Sequence, residues 1–197
     1  MKLCYAAGSP FARKAMVAAH VLGLAGKVET VSWDEGMAWN PLKKAPAMKT
    51  DDGEAIFDSH AICDWLNEVA GGNRLIPAGG KARLAVMRRE VLGSGIMEAA
   101  VSRYYELRRP DGEKSMEWAA RQEQKIAGAI DALEAEAAAG TLRGLDDLGA
   151  VSAACALEFL DRRYEAFDWR KSHKALAAWY GQVSALPAIR ESDPPTD

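Results

Sequence analysis

Apolar positions follow two rhythms along this chain. In the first 76 residues short apolar runs alternate with stretches of helical spacing; from residue 81 onward only helical spacing recurs. Residues 2–5 form an apolar run of strand-like composition. In residues 10–24, Met16, His20 and Leu24 recur four apart with Val17 and Val21 beside them, which predicts a helix. Residues 28–32 read as a second strand and residues 33–44, with Gly36 and Asn40-Pro41, as a loop. Two further apolar runs, Ala47–Lys49 and Ala55–Phe57, flank Thr50-Asp51-Asp52-Gly53, and Asp-Gly between such runs predicts a hairpin. Asp58-Ser59 then opens a helix with Ile62, Trp65, Leu66 and Val69 on one face, ending at Gly71-Gly72. The order β-α-β, then β-β-α, predicts a mixed sheet: a parallel pair from the crossover and an antiparallel pair from the hairpin.

Pro77 and Gly79-Gly80 mark a linker, placing a boundary near residues 76–80. Four amphipathic stretches follow. Residues 82–108 carry Met97, Val101, Tyr104 and Tyr105 at helical spacing. Residues 113–138 carry Ile126, Ile130, Leu133 and Ala137, and Gly140 terminates them. Residues 147–164 carry Leu148, Val151, Cys155 and Phe159; residues 172–186 carry Leu176, Trp179, Tyr180 and Val183. Residues 191–197, with two prolines, read as irregular.

Bulk composition narrows the function. The 197 residues are 49% hydrophobic and 27% charged, ordinary for a globular chain. A net charge of −3 without a long basic run argues against nucleic acid as partner. No stretch has the length to span a bilayer and the start lacks a signal-peptide layout, so a cytoplasmic location is the default expectation. Cys4, Cys63 and Cys155 are far apart, odd in number and set in apolar patterns, so they read as buried free thiols rather than a disulfide framework or zinc site. His20, His60 and His173 lack metal-ligand spacing and read as structural; no metal is expected.

Candidate chemistry begins where the first strand turns into a helix. Ser9 directly before Pro10 places a hydroxyl at the N-cap and proline at the first helical position. The unsatisfied N–H groups and dipole of that helix end favour an anion. Ser9-Pro10-Phe11, Lys44-Ala45-Pro46 and Asp58-Ser59, in this order within β-α-β and β-β-α, resemble the glutathione transferase family. The helical second half resembles that family's second domain, so the resemblance covers essentially the whole chain. It is nearest to bacterial members with Ser-Pro-Phe at the first helix and similar there to plant tau-class enzymes.

The resemblance implies an α/β, thioredoxin-like domain over residues 1–76 and an all-α helical-bundle domain over residues 81–197. It implies a homodimer that conjugates glutathione, as cosubstrate, to a small apolar electrophile, a detoxifying reaction. Ser9 would donate a hydrogen bond to the glutathione sulfur and favour the thiolate. Ser59 would bind the γ-glutamyl carboxylate, with Asp58 orienting the same group; plain N-capping is the competing reading of both. Pro46 looks like the family's cis-proline, which would turn Ala45 so that its N–H and C=O pair with the cysteinyl part of the tripeptide. Lys44 would face the glycine carboxylate, or else be a solvated surface lysine. Phe11 belongs with the glutathione-binding residues, more as packing than as contact.

Met97, Val101, Tyr104 and Tyr105 are the expected lining of the electrophile pocket between the domains, some of them serving as core. Trp33 and Trp39 border either the pocket or a dimer contact. Serine at position 9 argues for conjugation over thiol–disulfide exchange, since serine cannot form a mixed disulfide. The chain departs from the family where Asp147-Leu148-Gly149-Ala150 replaces a Ser/Thr-x-x-Asp capping box: Asp147 can cap, but Ala150 cannot return the reciprocal bond. A non-catalytic interaction module of the same fold, and glutathione-dependent peroxide reduction or isomerisation, are the competing functions.

Overall fold

Four short strands make one sheet in the computed structural model, which describes residues 1–164 and 167–192. Strands β1 (Lys2–Cys4), β2 (Glu29–Val31), β3 (Ala47–Lys49) and β4 (Ala55–Phe57) lie in the order β2-β1-β3-β4. The β1–β2 pair is parallel, and β1–β3 and β3–β4 are antiparallel, the mixed sheet expected. Helix α1 (Pro10–Val21) makes the crossover. It stops short of Leu24 because Gly23 takes a positive φ of 73°. That conformation lets the Leu24 N–H return to the Ala19 carbonyl at 2.8 Å and close the helix end.

The stretch read as a loop after β2 holds a helix, α2 (Trp33–Met37). Ser32 caps it, accepting from the Glu35 N–H at 3.4 Å. Gly36, taken from sequence as a loop glycine, is instead a contact point. A Cβ there would stand 2.1 Å from Cys4 Cβ, so only glycine lets α2 lie against β1. Helix α3 (Ser59–Val69) buries Ile62, Cys63 and Leu66, while Val69, expected on the same face, is 44% exposed.

The second half is α4 (Gly80–Glu106), α5 (Met116–Ala138), α6 (Leu148–Arg163), α7 (Lys174–Val183) and the short α8 (Pro187–Arg190). Helices α4 and α6 approach closely at two glycines. A Cβ on Gly93 would meet the Ser152 backbone carbon at 2.6 Å, and one on Gly149 would meet Arg89 Cβ at 2.6 Å. Asp147 caps α6 by accepting from the Ala150 N–H at 2.9 Å. With no acidic residue at 150, its other oxygen takes Arg89 Nη1 at 2.5 Å, and Arg89 Nε reaches Glu136 at 2.6 Å. A buried ion network thus stands where a reciprocal cap would.

The two halves share one apolar core that runs from Leu3 and Met48 through Ile62 and Leu66 to Ile96, Leu157 and Leu176. Buried Asn67 ties down the connection: its Oδ1 accepts from the N–H groups of Arg74, Leu75 and Ile76 at 3.1, 2.9 and 3.3 Å. No described helix is long and apolar enough to cross a membrane. Residues 193–197, read as an irregular tail, lie outside the described residues.

Candidate functional site

Sheet register brings the three anchors to one end of the molecule. Cys4 is paired with Ala47, and Ala47 with Phe57. The loop leading to Ser9 leaves that row after Cys4. Ala45-Pro46 enters it just before Ala47, and Asp58-Ser59 leaves it just after Phe57.

Each anchor is fixed by its own local backbone. Ser9 is half-buried and caps α1, its Oγ accepting from the Ala12 N–H at 3.2 Å. The hydroxyl's own proton is therefore free to be donated outward. The Ala45–Pro46 bond is cis, and the Ala45 N–H and C=O hydrogen-bond to no other described residue. Asp58 caps α3, its Oδ1 accepting from the His60 N–H at 2.7 Å, as the capping alternative required. It does so at φ 76° and ψ 132°, outside the regions comfortable for a residue with a Cβ. Ser59, 4% exposed, opens the helix with its hydroxyl engaged by no described residue. Lys44 is exposed; its carbonyl accepts from Asn40 Nδ2 at 2.7 Å and its ammonium has no described partner.

Phe11 and Lys14 of α1, Asp58, Ser59 and His60 at the start of α3, and Glu90 and Ser94 of α4 line a cleft of ≈ 270 Å³. A buried polar cluster forms its floor. Lys14 Nζ, with Lys14 only 1% exposed, donates to Glu90 Oε1 at 2.7 Å and to Ser94 Oγ at 3.1 Å, and Ser94 donates to Glu90 at 2.7 Å. His60 Nδ1 is buried 3.6 Å from Glu90 Oε2, a charge contact longer than a hydrogen bond. Burial alone would raise the Glu90 carboxyl, but His60, the Lys14 ammonium and the Ser94 hydroxyl together hold it down at about 2. The same carboxylate raises the His60 pKa above its ordinary value, against the effect of burial. A larger apolar groove of ≈ 670 Å³ between α4 and α5 contains none of the anchors.

Comparison with known proteins matches both halves of the chain. Residues 8–69 match the glutathione S-transferase N-terminal domain and residues 116–182 the glutathione S-transferase C-terminal domain. The chain belongs to the glutathione transferase family. A family member from Pseudomonas fluorescens, solved with bound glutathione, is 34% identical with a TM-score of 0.88 over 99% of both chains. Solved with S-(propanoic acid)-glutathione, it matches at 38% identity and a TM-score of 0.90 over all of both chains. The uncharacterized GST-like protein YibF of Escherichia coli is 29% identical over 99% of each chain.

Against this glutathione transferase frame the remaining expected residues divide. Met97 is fully buried in the core, so it presents no surface to a substrate; helical spacing alone could not tell core from lining. Val101 is half-buried and packs on that core. Tyr104 is half-buried, edge-on to Tyr105 at 5.6 Å between centroids, and Tyr105 is 65% exposed. Trp33 is 48% exposed at the start of α2, and Trp39 packs on the small cluster of Cys4, Val31, Met37 and Ala47.

All three cysteines are buried free thiols. Burial pushes Cys63 and Cys155 up to about 12 and raises Cys4, so none is poised as a thiolate. Among the described residues no group of three or more His, Cys, Asp or Glu side chains is placed to hold a metal. Sequence reasoning missed Lys14, Glu90, Ser94 and the cleft-lining place of His60. None carries a local signal, because each is defined by a partner far along the chain.

Proposed function

We propose that this protein transfers glutathione to a small electrophile, with Ser9 stabilising the attacking thiolate. The observation that carries the reading is the convergence of Ser9, Ala45 and Ser59 at one sheet end, with the Ser9 proton and the Ala45 main chain both unspent. Glutathione has the matching groups: a γ-glutamyl carboxylate for the Ser59 helix start, an extended peptide for Ala45, a thiol for Ser9 and a terminal carboxylate for Lys44. Relatives solved with glutathione support the assignment. The polar lining of the cleft and the burial of Met97 weaken the expected apolar pocket, and neither Val101 nor Tyr104 lines that cleft.

The thiolate forms a bond to the electrophilic carbon as a leaving group departs with its electron pair or a π pair shifts to the adjacent atom, and Ser9 donates to the sulfur while it is anionic. A hydrogen bond to a charged group is worth about 1.5–3 kcal/mol, or about one to two pH units in a thiol pKa. Ser9→Ala should therefore raise the pH at which bound glutathione ionises by that amount, read from thiolate absorbance in the complex. An unchanged pH would remove Ser9 from this role. Division at residues 76–80 and assembly as a homodimer in the cytoplasm belong to the same reading. Exposed Phe57, Leu84 and Val91 offer apolar surface for the second copy.

A non-catalytic platform is the competing reading, and titration calorimetry separates the two: no glutathione binding at millimolar concentration would favour it. Glutathione-dependent peroxide reduction or isomerisation would appear as turnover of those substrates without conjugation.

A further inference from the structure

The last turn of α6 brings a positive charge to the turn that carries Ser9. Gly8 is exposed and directly precedes Ser9, and a Cβ at position 8 would stand 3.3 Å from Arg163 Nη2. The Arg163 guanidinium thus overhangs the turn that presents the Ser9 hydroxyl. It also lies 5.5 Å from the centre of the Tyr104 ring, and Arg108, from the end of α4, stacks on the same ring at 4.2 Å. Both guanidinium groups thus sit within cation–π range of one ring, where a carboxylate partner would neutralise their charge.

No described carboxylate does so. Glu106 is taken by the Ser115 N–H at 2.6 Å and by Arg109 at 3.6 Å. Asp161 is held by Arg170 at 2.5 Å, and Glu158 by Arg162 at 3.3 Å and Arg13 at 3.5 Å. Arg103 is matched by Glu123 at 2.5 Å. Among the described residues Arg108 and Arg163 are both exposed, pair with no described carboxylate, and lie 4.2 and 5.5 Å from the centre of the Tyr104 ring.

We propose that the second substrate is a small α,β-unsaturated carboxylic acid, bound through its carboxylate to Arg163 with Arg108 beside it and the Tyr104 ring beneath. This rests on the glutathione reading above, and it replaces the apolar electrophile with an anionic one. An ionised carboxylate repels an incoming thiolate and feeds electron density into the double bond, so such acids are poor acceptors in water. Guanidinium contacts offset both effects, and the planar fork matches a carboxylate. In the reaction the thiolate electron pair forms the sulfur–carbon bond at the β-carbon. The π pair moves to the α-carbon, which takes a proton from water, and no group leaves.

The test compares two adducts that differ in charge, S-(2-carboxyethyl)glutathione and S-propylglutathione, by titration calorimetry on the whole protein. Arg163→Gln should lower the affinity ratio of the acidic to the neutral adduct about tenfold or more, with Arg163→Lys recovering part of it and Arg108→Gln acting in the same direction. The ratio of kcat/KM for acrylate over acrylamide should fall in parallel. A ratio unmoved in both Gln variants, or a wild-type protein that binds glutathione yet turns over acrylamide and not acrylate, overturns the proposal and leaves glutathione binding standing. A wild-type protein that binds no glutathione overturns the reading beneath it.

Discussion

Removing the Glu90 carboxylate tests whether the floor of the cleft holds the two halves together. Lys14 comes from α1, His60 from α3, and Glu90 and Ser94 from α4, so the cluster spans the junction. The Glu90 carboxyl is moved from 4.5 to about 2, and at about 1.4 kcal/mol per pH unit this is roughly 3 kcal/mol favouring the ionised, paired form. Glu90→Leu would strand an ammonium that is 1% exposed, which costs about 3–5 kcal/mol when a buried pair is broken from one side. At about 2–4 °C per kcal/mol for a chain of this size, the midpoint of thermal unfolding should fall by about 6–20 °C.

Lys14→Met should cost a comparable amount by leaving the buried carboxylate with only Ser94 and His60 as partners. The double variant Lys14→Met, Glu90→Leu replaces the pair with apolar groups of similar volume and should return to within about 1 kcal/mol of the parent. Urea and thermal unfolding of the four proteins complete the cycle. A Glu90→Leu cost below about 1 kcal/mol, or a double variant no better than the sum of the singles, would refute the claim that the ammonium and carboxylate depend on one another.

The same pair fixes an acid limb. Glu90 has a folded pKa below its unfolded one, so its contribution is present above about pH 4.5 and is lost as pH falls toward about 2. His60 is shifted the other way: its contribution is complete below about pH 6.5 and fades as pH rises through its higher folded value. Stability measured by urea midpoint should therefore drop below pH 4.5 in the parent and far less in Glu90→Leu; parallel curves would count against this assignment. Close packing of α4 on α6 predicts that Gly93→Ala destabilises by about 1–3 kcal/mol, since its Cβ meets Ser152 backbone at 2.6 Å. Gly128→Ala on α5, with nothing within 4 Å, should stabilise by about 0.5–1 kcal/mol. Equal effects in calorimetry would show that helix propensity, not packing, governs both positions.

What the sequence discloses about this site is what short segments decide on their own. Ser9, Asp58 and Asp147 cap helices because an Asx or Ser side chain reaches its own backbone three residues on or fewer, whatever surrounds it. The hairpin at Thr50-Asp51-Asp52-Gly53 closes for the same reason, with the Thr50 N–H on the Glu54 carbonyl at 2.9 Å and Gly53 at φ 91°. Helix α2 was legible too: Ser32-Trp33-Asp34-Glu35 is a capping-box pattern, masked by Gly36, whose loop-like character hides a packing role against Cys4. Helix α8 spans only Pro187–Arg190, too short for periodicity to register.

Lys14 and Arg163 belong to a different category. In sequence each is a basic residue on a helix and reads as solvated. Lys14 is made a buried cation by Glu90, 76 residues away, and Arg163 is brought to the Gly8 turn by the packing of α6. This separation has a functional consequence. The groups that would hold the tripeptide sit on caps and turns of the first half, where local chemistry constrains them. Those that would choose the second substrate sit on the last turns of α4 and α6, held by packing alone. If the proposed conjugation holds, substitutions at positions 104, 108 and 163 should alter the electrophile accepted while glutathione binding persists. By the same logic, relatives sharing the three anchors but differing at those helix ends should bind glutathione alike and differ in the electrophile they accept.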